Sequence, residues 1–134
     1  MGQPLTLFGL AQRGMSAQLV RMNAAASNLA NAGSISSSEQ MAYKPIRAVF
    51  AEDFDTASGL ATVQVHGIQR EQAAAIRQHN PDHPMADANG DTWTAPVDEN
   101  AEMVDMLEAS RQYQNLVEAL STAKQLMLDT MRLK

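Results

Sequence analysis

The sequence contains no cysteine in its 134 residues. A disulfide framework, a thiolate metal site and a cysteine nucleophile are therefore excluded. Aromatic residues are scarce at 4%, although apolar residues reach 45% of the chain and include nine methionines. An apolar fraction made of small and flexible side chains favours helix packing over a large, rigid core. The length suits one domain of ordinary size.

The chain also lacks a long hydrophobic run and an excess of positive charge. No segment approaches the roughly 20 apolar residues that span a bilayer. Gly9, Gln12 and Arg13 interrupt the apolar start, which excludes a Sec-type signal but leaves a basic, amphipathic transit peptide as an alternative. The net charge of −5 argues against a nucleic-acid partner, which requires a basic surface.

The charges that are present are distributed unevenly along the chain. Residues 1–38 carry Arg13 and Arg21 and no acid, whereas residues 98–134 carry seven acids and four bases. Oppositely charged segments can form ion pairs when the fold brings them together. We therefore expect the basic N-terminal segment to pair with the acidic C-terminal one.

The N-terminal segment predicts a helix of about 25 residues, roughly 40 Å long. Pro4 suits the start of this helix and Gly33 its C-terminal cap. Gly9 and Gly14 each lower its stability by about 1 kcal/mol, so the helix needs a packing partner. Its apolar residues are spaced alternately by four and three, as in a heptad seam made of Phe8, Gln12, Met15, Leu19, Met22, Ala26 and Leu29.

The C-terminal segment predicts a longer helix, on the order of 50 Å, because no Gly or Pro interrupts residues 98–134. Asp98 is the expected N-cap, and Arg132 complements the negative end of the helix dipole. A second heptad seam follows the same alternating spacing through Met106, Ala109, Tyr113, Leu116, Leu120, Ala123 and Met127.

These patterns predict a mainly α fold with a small β-rich insertion. Residues 1–32 and 98–134 are expected to form one helical unit, in which the two long helices pair as an antiparallel coiled-coil hairpin. Residues 33–97 are expected to form a loop and β-rich insertion with a β-hairpin or extended segments. Residues 61–68 alternate as a strand, residues 47–54 suit either an extended or a short helical piece, and Thr92 suits a strand after a turn.

The stretch HNPDHPMADANGDTW, residues 79–93, resembles a metal site at first inspection. His79 and His83 would need a helix to act together as zinc ligands, and Pro81 and Pro84 exclude one. The spacing of its oxygen donors also fails the calcium-loop pattern of an EF-hand.

A connecting turn explains the same stretch better. Asn-Pro and His-Pro pairs at Pro81 and Pro84 favour turns, and Asn89-Gly90 is the preferred pair for a two-residue type I′ hairpin. The remaining candidates for catalysis are weak, because the acids at 52–55 suit a solvated surface and no serine lies in a nucleophile elbow. We expect no enzyme activity, metal or cofactor.

Three stretches resemble one protein family. AQLVRMNAAASNLANA (17–32) is similar to the N-terminal signature of the rod, hook and filament axial proteins of the bacterial flagellum. NPDHPMADANG (80–90) and ASRQYQNLVEALSTAKQLM (109–127) narrow the resemblance to the proximal rod proteins, over nearly the whole chain. The chain departs from the family at His79, where Tyr is usual, and at Leu116, where Asn is common.

The resemblance implies a structural subunit of the proximal rod, a periplasmic drive shaft that transmits torque and encloses the export channel. Such subunits leave the cytoplasm through the flagellar type III apparatus without a cleaved signal, which also explains the basic, amphipathic start. The implied partners are copies of the chain, other proximal rod proteins, distal rod proteins and the adaptor at the rod base beside the membrane ring and export gate. No nucleic acid, small molecule or membrane insertion is implied.

Candidate assembly residues lie in the two helical motifs. Asn28 and Asn31 are expected either to cap the N-terminal helix or to bond across a subunit boundary. Apolar residues off the heptad seams, such as Val104 and Leu107, would be covered by neighbouring subunits. The other candidate residues in these motifs are Leu29, Tyr113, Gln114 and Lys124.

Two other classes of protein compete with the rod interpretation. A small helical binding module or chaperone would use a methionine-rich groove and would fold its termini as a monomer. A rod subunit would instead leave both termini poorly ordered until neighbours cover them. A hydrolase using residues 79–93 would lose its activity on His83→Ala.

Overall fold

A computed structural model describes residues 6–133 of the chain. Along the sequence, one helix precedes and one helix follows five strands. The elements are α1 (Leu7–Ala30), β1 (Ile35–Ser36), β2 (Ile46–Asp55), β3 (Leu60–Arg70), β4 (Ile76–His79), β5 (Asp91–Thr94) and α2 (Glu99–Arg132).

Polar side chains begin both helices. The hydroxyl of Thr6 accepts a hydrogen bond from the Gly9 amide at 3.0 Å, and the helix start predicted at Pro4 lies outside the described residues. The carboxylate of Asp98 accepts from the amides of Asn100 and Ala101, which confirms it as the N-cap of α2. These bonds satisfy amides that have no partner within a helix.

The five strands form two separate antiparallel sheets. β2 and β3 pair along their whole lengths as a two-stranded ribbon, and β1, β5 and β4 form a short three-stranded sheet in that order. A bulge interrupts the ribbon between Val49 and Phe50, opposite Gly67, whose φ of 141° lies where side chains rarely fit. The predicted strand at 61–68 is confirmed within β3, and residues 47–54 take the extended alternative within β2.

Small residues allow α1 to approach α2 closely. Ala17 and Ala24 of α1 are buried, as is Ala109 of α2. A Cβ added at Gly14 would lie only 3.0 Å from Leu116 Cδ1, so the glycine leaves the space that the leucine fills. Gly14, which weakens α1 as a helix, therefore strengthens its contact with α2.

The predicted fold class is wrong. About 45% of the described residues are helical and 24% lie in strands, so the chain is an α+β protein rather than a mainly α one. The strands are a major part of the structure, and β2 and β3 pack against α1. The coiled-coil hairpin predicted from the two heptad seams is not what the helices form.

The prediction fails because α1 turns its other side inward. Leu19, on the predicted seam, is 43% exposed and Phe8 is 37% exposed. Ala17, Ala24 and Asn28 are buried, and at about 100° per residue they lie on nearly the opposite side of the helix. Close packing against α2 and the ribbon requires the side of α1 that carries small side chains. The heptad pattern instead follows the larger apolar residues, which lie on the other side.

Candidate functional site

Asn28 forms a buried polar junction between α1 and the ribbon. Its side-chain nitrogen donates to the Ile46 carbonyl at 2.9 Å, and its Oδ1 accepts from the Ile46 amide at 2.8 Å. The Tyr43 hydroxyl donates to the same Oδ1 at 2.7 Å. Asn28 is fully buried, so these contacts within the chain satisfy a polar group that would otherwise destabilise the fold.

Asn31 and Leu29 lie at the end of α1 beside this junction. The Asn31 side chain donates to the Ser27 carbonyl at 2.9 Å, and its backbone amide bonds to carbonyls of the last helical turn. Leu29 is half-buried. The structure thus gives Asn28 a role in anchoring β2, which differs from both predicted roles, a helix cap and a bond across a subunit boundary. Its partner Tyr43 was not among the candidate residues predicted from the sequence.

A buried carboxylate connects α2 to the ribbon. Glu102 is 1% exposed, and its Oε1 lies 2.5 Å from Nη2 of Arg47 in β2. Arg47 Nε also lies 2.7 Å from Oε1 of Glu71. The hydrogen bond to Glu102, helped by Glu71 and opposed by desolvation, raises the pKa of Arg47 above its usual range. The second oxygen of Glu102 has no hydrogen-bond partner within residues 6–133.

Two further ion pairs start from α1. Arg21 pairs with Asp105 and, at 3.2 Å, with Glu108, which confirms the predicted pairing of the basic N-terminal segment with the acidic C-terminal one. Arg13 instead pairs with Asp53 of β2 at 3.1 Å. Together with the Arg47 pair, these contacts join α1 to α2, α1 to β2, and β2 to α2. Sequence alone does not reveal which acid each arginine meets.

Asp87 organises the loop of residues 80–90 between β4 and β5. Its Oδ1 accepts hydrogen bonds from the amides of Asn89 and Asp91, both at 2.9 Å. The bond from the Asp91 amide is the main reason that the pKa of Asp87 is lowered, with help from Asn89, Trp93 and Arg77 against partial desolvation. The loop is therefore held by an ionised carboxylate.

The prediction of a two-residue type I′ hairpin at Asn89-Gly90 is wrong. That turn needs positive φ at both central residues, and among the described residues only glycines have it, Gly90 with 77°. A Cβ added at Gly90 would lie 3.0 Å from Pro81 Cβ, so the loop folds back on itself. Pro84 lies on its exposed surface. The stretch still turns the chain, between the antiparallel β4 and β5, and Asp87 binds the backbone of this longer loop.

Residues 79–93 do not bring metal-binding groups together. His79 Nδ1 lies 3.0 Å from Asp91 Oδ1, and His83 Nδ1 accepts from the Met85 amide at 3.0 Å. Within residues 6–133 no group of three His, Asp or Glu side chains is placed to hold a metal ion. The polar side chains of this stretch stabilise its own loop.

The candidate residues of α2 lie apart from Asn28. The helices run in opposite directions, because Arg21 meets Asp105 whereas the earlier Gly14 meets the later Leu116. Tyr113, Gln114 and Lys124 therefore lie toward the start of α1. Tyr113 is half-buried, and Gln114 and Lys124 are exposed.

Three surfaces with exposed apolar side chains lie outside the contacts described above. The α1 stripe consists of the exposed Phe8 and Leu19 with the half-buried Met15 and Met22 between and beside them, and the α2 stripe of the exposed Met103, Val104 and Leu107. The ribbon face consists of Phe50, Phe54, Val63, Val65 and Ile68. Exposed apolar surface on this scale is typical of a protein that binds other macromolecules. Among the described residues, no helix has the length and apolar character to cross a membrane.

The exposed methionines do not line one groove. Met103 lies near the start of α2, whereas Met127 and Met131 lie near its end, on the order of 36 Å away. Met41 and Met85 lie on loops. This separation disfavours the methionine-rich groove that a helical chaperone would use.

Comparison with known proteins identifies the class. A family model described as flagellar basal body rod FlgEFG protein C-terminal matches residues 93–133, which include β5 from Trp93 onward and the whole of α2. The resemblance to flagellar rod proteins is therefore confirmed.

Full-length relatives narrow the family. Flagellar basal-body rod protein FlgC of Salmonella typhimurium is 40% identical over 131 residues, which are 96% of each chain, and FlgC of Escherichia coli O157:H7 has the same identity and coverage. FlgC of Yersinia enterocolitica is 37% identical over 129 residues, with 96% of each chain covered. The chain belongs to the FlgC family of flagellar basal-body rod proteins. It is a structural component of the basal body and not an enzyme.

Proposed function

We propose that the chain forms part of the proximal rod, the periplasmic shaft that transmits torque and surrounds the export channel. The similarity to FlgC proteins along 96% of the chain supports this position within the rod. We further propose that the flagellar type III system exports the chain before assembly. The two helical motifs and the loop motif at 80–90 follow the order usual for proximal rod proteins, which also supports a place in the proximal rod.

The proposed neighbours are copies of the chain, other proximal rod proteins, distal rod proteins and the adaptor between the rod and the membrane ring with its export gate. Shafts of this kind are built from many modest contacts between subunits. Asn31, Gln114 and Lys124 are candidate contact residues because they lie at a helix end or on an exposed side of α2. Asn28 would act indirectly by fixing the ribbon.

The observation that carries this proposal is the exposed α1 stripe. α1 packs against its own chain through alanine and glycine, and Leu19 on the outer side is 43% exposed. A free monomer with this stripe in water would associate nonspecifically. Burial of the stripe by neighbouring subunits releases water from apolar surface and supplies association energy. The C-terminal end of α2 offers similar surface at Leu126 and Met131.

The test is assembly in a strain whose own copy of the gene is deleted. Expression of the wild-type chain should restore motility and place the chain in purified basal bodies, as detected by immunoblot. Leu19→Glu, which puts a charge on the α1 stripe, should remove the chain from basal bodies while it still folds by circular dichroism. Asn23→Glu is the matched control, because Asn23 is an exposed polar residue of the same helix.

Two results would contradict the proposal. One is restored motility with the chain absent from basal bodies, which would indicate a soluble helper protein. The other is normal assembly of Leu19→Glu, which would show that the α1 stripe is not covered by a neighbour.

A further inference from the structure

The ribbon face is a continuous apolar surface on one side of β2 and β3. The pairing places Phe50 opposite Val65 and Phe54 opposite Ala61, and alternate residues of a strand share a face. Phe54 and Ile68 are both 59% exposed, although large apolar residues are usually covered. The opposite face meets α1, where Thr62 is buried and Asp53 pairs with Arg13.

A two-stranded ribbon is marginally stable in water unless another element covers it. Within residues 6–133, α1 covers only one of the two faces of the ribbon. By strand alternation two charged side chains lie on the exposed face: Arg70, at its end, stacks on the Tyr43 ring, and Glu52, opposite Val63, lies among the apolar residues. Glu52 is exposed and has no ion-pair partner among the described residues. The missing partner should therefore be apolar and carry one positive charge.

The α2 stripe meets this description. At about 100° per residue, Met103, Val104 and Leu107 lie on the side of α2 opposite the buried Ala109, and Arg111 continues the same side one turn later. Leu107 is 64% exposed. Arg111 is exposed and has no ion pair within residues 6–133. The α1 stripe is a poorer match because it carries no charged residue.

The α2 stripe cannot cover the ribbon face of its own chain. Glu102 binds Arg47 of β2, so the side of α2 that carries Glu102 is turned toward its own ribbon. The stripe lies on the other side of the helix and points away. A match between these two surfaces therefore requires two chains.

We infer that the ribbon face of one copy binds the α2 stripe of a second copy, with Arg111 placed against Glu52. The two surfaces differ, so the contact is head-to-tail and each copy keeps one surface of each kind for its next neighbour. Repeated contacts of this type produce a ring or an open helix. The inference rests on the proposed place of the chain in the rod, and it specifies which surfaces of successive copies meet.

The absence of cysteine makes a disulfide test direct. A strain carrying the double variant Val63→Cys and Leu107→Cys in place of the wild-type chain should, after mild oxidation of purified basal bodies, show a ladder of cross-linked oligomers. Neither single variant should form dimers, because position 63 would meet position 107 and not itself. Gln69→Cys, on an exposed position of β3 outside the ribbon face, is the matched control for Val63→Cys and should give no ladder with Leu107→Cys.

Charge reversal in the cross-linking background tests the ion pair. Glu52→Arg or Arg111→Glu alone should lower the cross-linked fraction on the order of tenfold, and the two together should restore it. A dimer through position 63 alone, a cross-link only to a different protein, or no cross-link in basal bodies that contain the chain would each overturn this contact while leaving the rod function intact. Absence of the wild-type chain from basal bodies would instead overturn the proposed rod position and this contact with it.

Discussion

Asn28 and Ile46 exchange two hydrogen bonds, one in each direction. The Asn28 amide nitrogen donates to the Ile46 carbonyl, and the Ile46 amide donates to the Asn28 side-chain oxygen. A pair of antiparallel strands bonds in the same reciprocal way, here with a side-chain amide in place of one backbone. The last turns of α1 therefore hold the first residue of β2 as a neighbouring strand would.

Asn28→Ala should reduce the free energy of unfolding by about 3 kcal/mol. The substitution leaves the partly buried Ile46 amide and carbonyl without their side-chain partner, and each buried unsatisfied group costs on the order of 1–3 kcal/mol. Urea denaturation of the purified chain, followed by circular dichroism, measures the change.

Asn31→Ala is the control for this effect, because Asn31 is only half-buried and makes one side-chain bond, to Ser27. We expect a loss of about 1 kcal/mol. Equal losses for the two variants would show that the exchange with Ile46 has no special weight.

Arg47→Ala should cost about 3 kcal/mol of stability, because it leaves the carboxylate of Glu102 buried without a partner. Adding Glu102→Gln should recover a large part of the loss by removing the buried charge. Thermal unfolding of the single and double variants, compared with that of the wild-type chain, measures both effects.

Glu71→Ala serves as the comparison for the same arginine. Glu71 is partly exposed, and exposed ion pairs contribute about 0–1 kcal/mol. A loss for Glu71→Ala as large as that for Arg47→Ala would show that Glu102 is not the important partner.

Gly14→Ala should have an effect that depends on Leu116. Alanine is favoured over glycine in a helix by about 1 kcal/mol, but here its Cβ would press on the leucine. In a Leu116→Ala background the pressure is gone, and Gly14→Ala should stabilise the chain by about 1 kcal/mol. A double-mutant cycle from urea denaturation should give a coupling above about 0.5 kcal/mol, and additive effects would contradict the close contact.

The loop of residues 80–90 should lose its order in acid. Because the folded pKa of Asp87 is lowered, its ionised form stabilises the loop at all pH values above its unfolded pKa of about 4. That stabilisation is lost as the pH falls below about 4, through the folded pKa. Hydrogen exchange at the Asp91 amide, which bonds to Asp87, should accelerate in that range relative to the unfolded chain at the same pH.

Asp87→Asn should remove this acid transition, whereas Asp82→Asn, an exposed position in the same loop, should keep it. Persistence of the transition in Asp87→Asn would assign it to another group.

The features that were predicted correctly depend on neighbours in sequence. Asp98 begins α2 because its side chain bonds to amides two and three residues later, and the alternation at residues 61–68 directly encodes a strand. The inward side of α1 was not predictable in this way. Its seam pattern records where the large apolar residues lie, and the fold buries Ala17 and Ala24 because close approach requires small ones.

The polar contacts were beyond sequence analysis for a different reason. Arg47 and Glu102 meet across 55 positions, and Asn28 and Ile46 across 18, so nothing local identifies the partner. In the sequence, Glu102 is one of two acids in the first turn of α2, and burial alone distinguishes it. The motif around Asn28 indicated the protein family. The role of the asparagine, which is to bind the backbone of β2, is visible only in the folded structure.

The three ion pairs that link the elements give the fold a mechanical property. Each pair joins a different two of three bodies, α1, α2 and β2, so the links close a triangle. A closed set of links resists sliding of any two bodies past each other, in addition to the packing and hydrogen bonds between them. Removing one link should therefore increase the motion between the two bodies that it joins, even where the loss of stability is small. The sides of the triangle are Arg13–Asp53, Arg21–Asp105 and Arg47–Glu102.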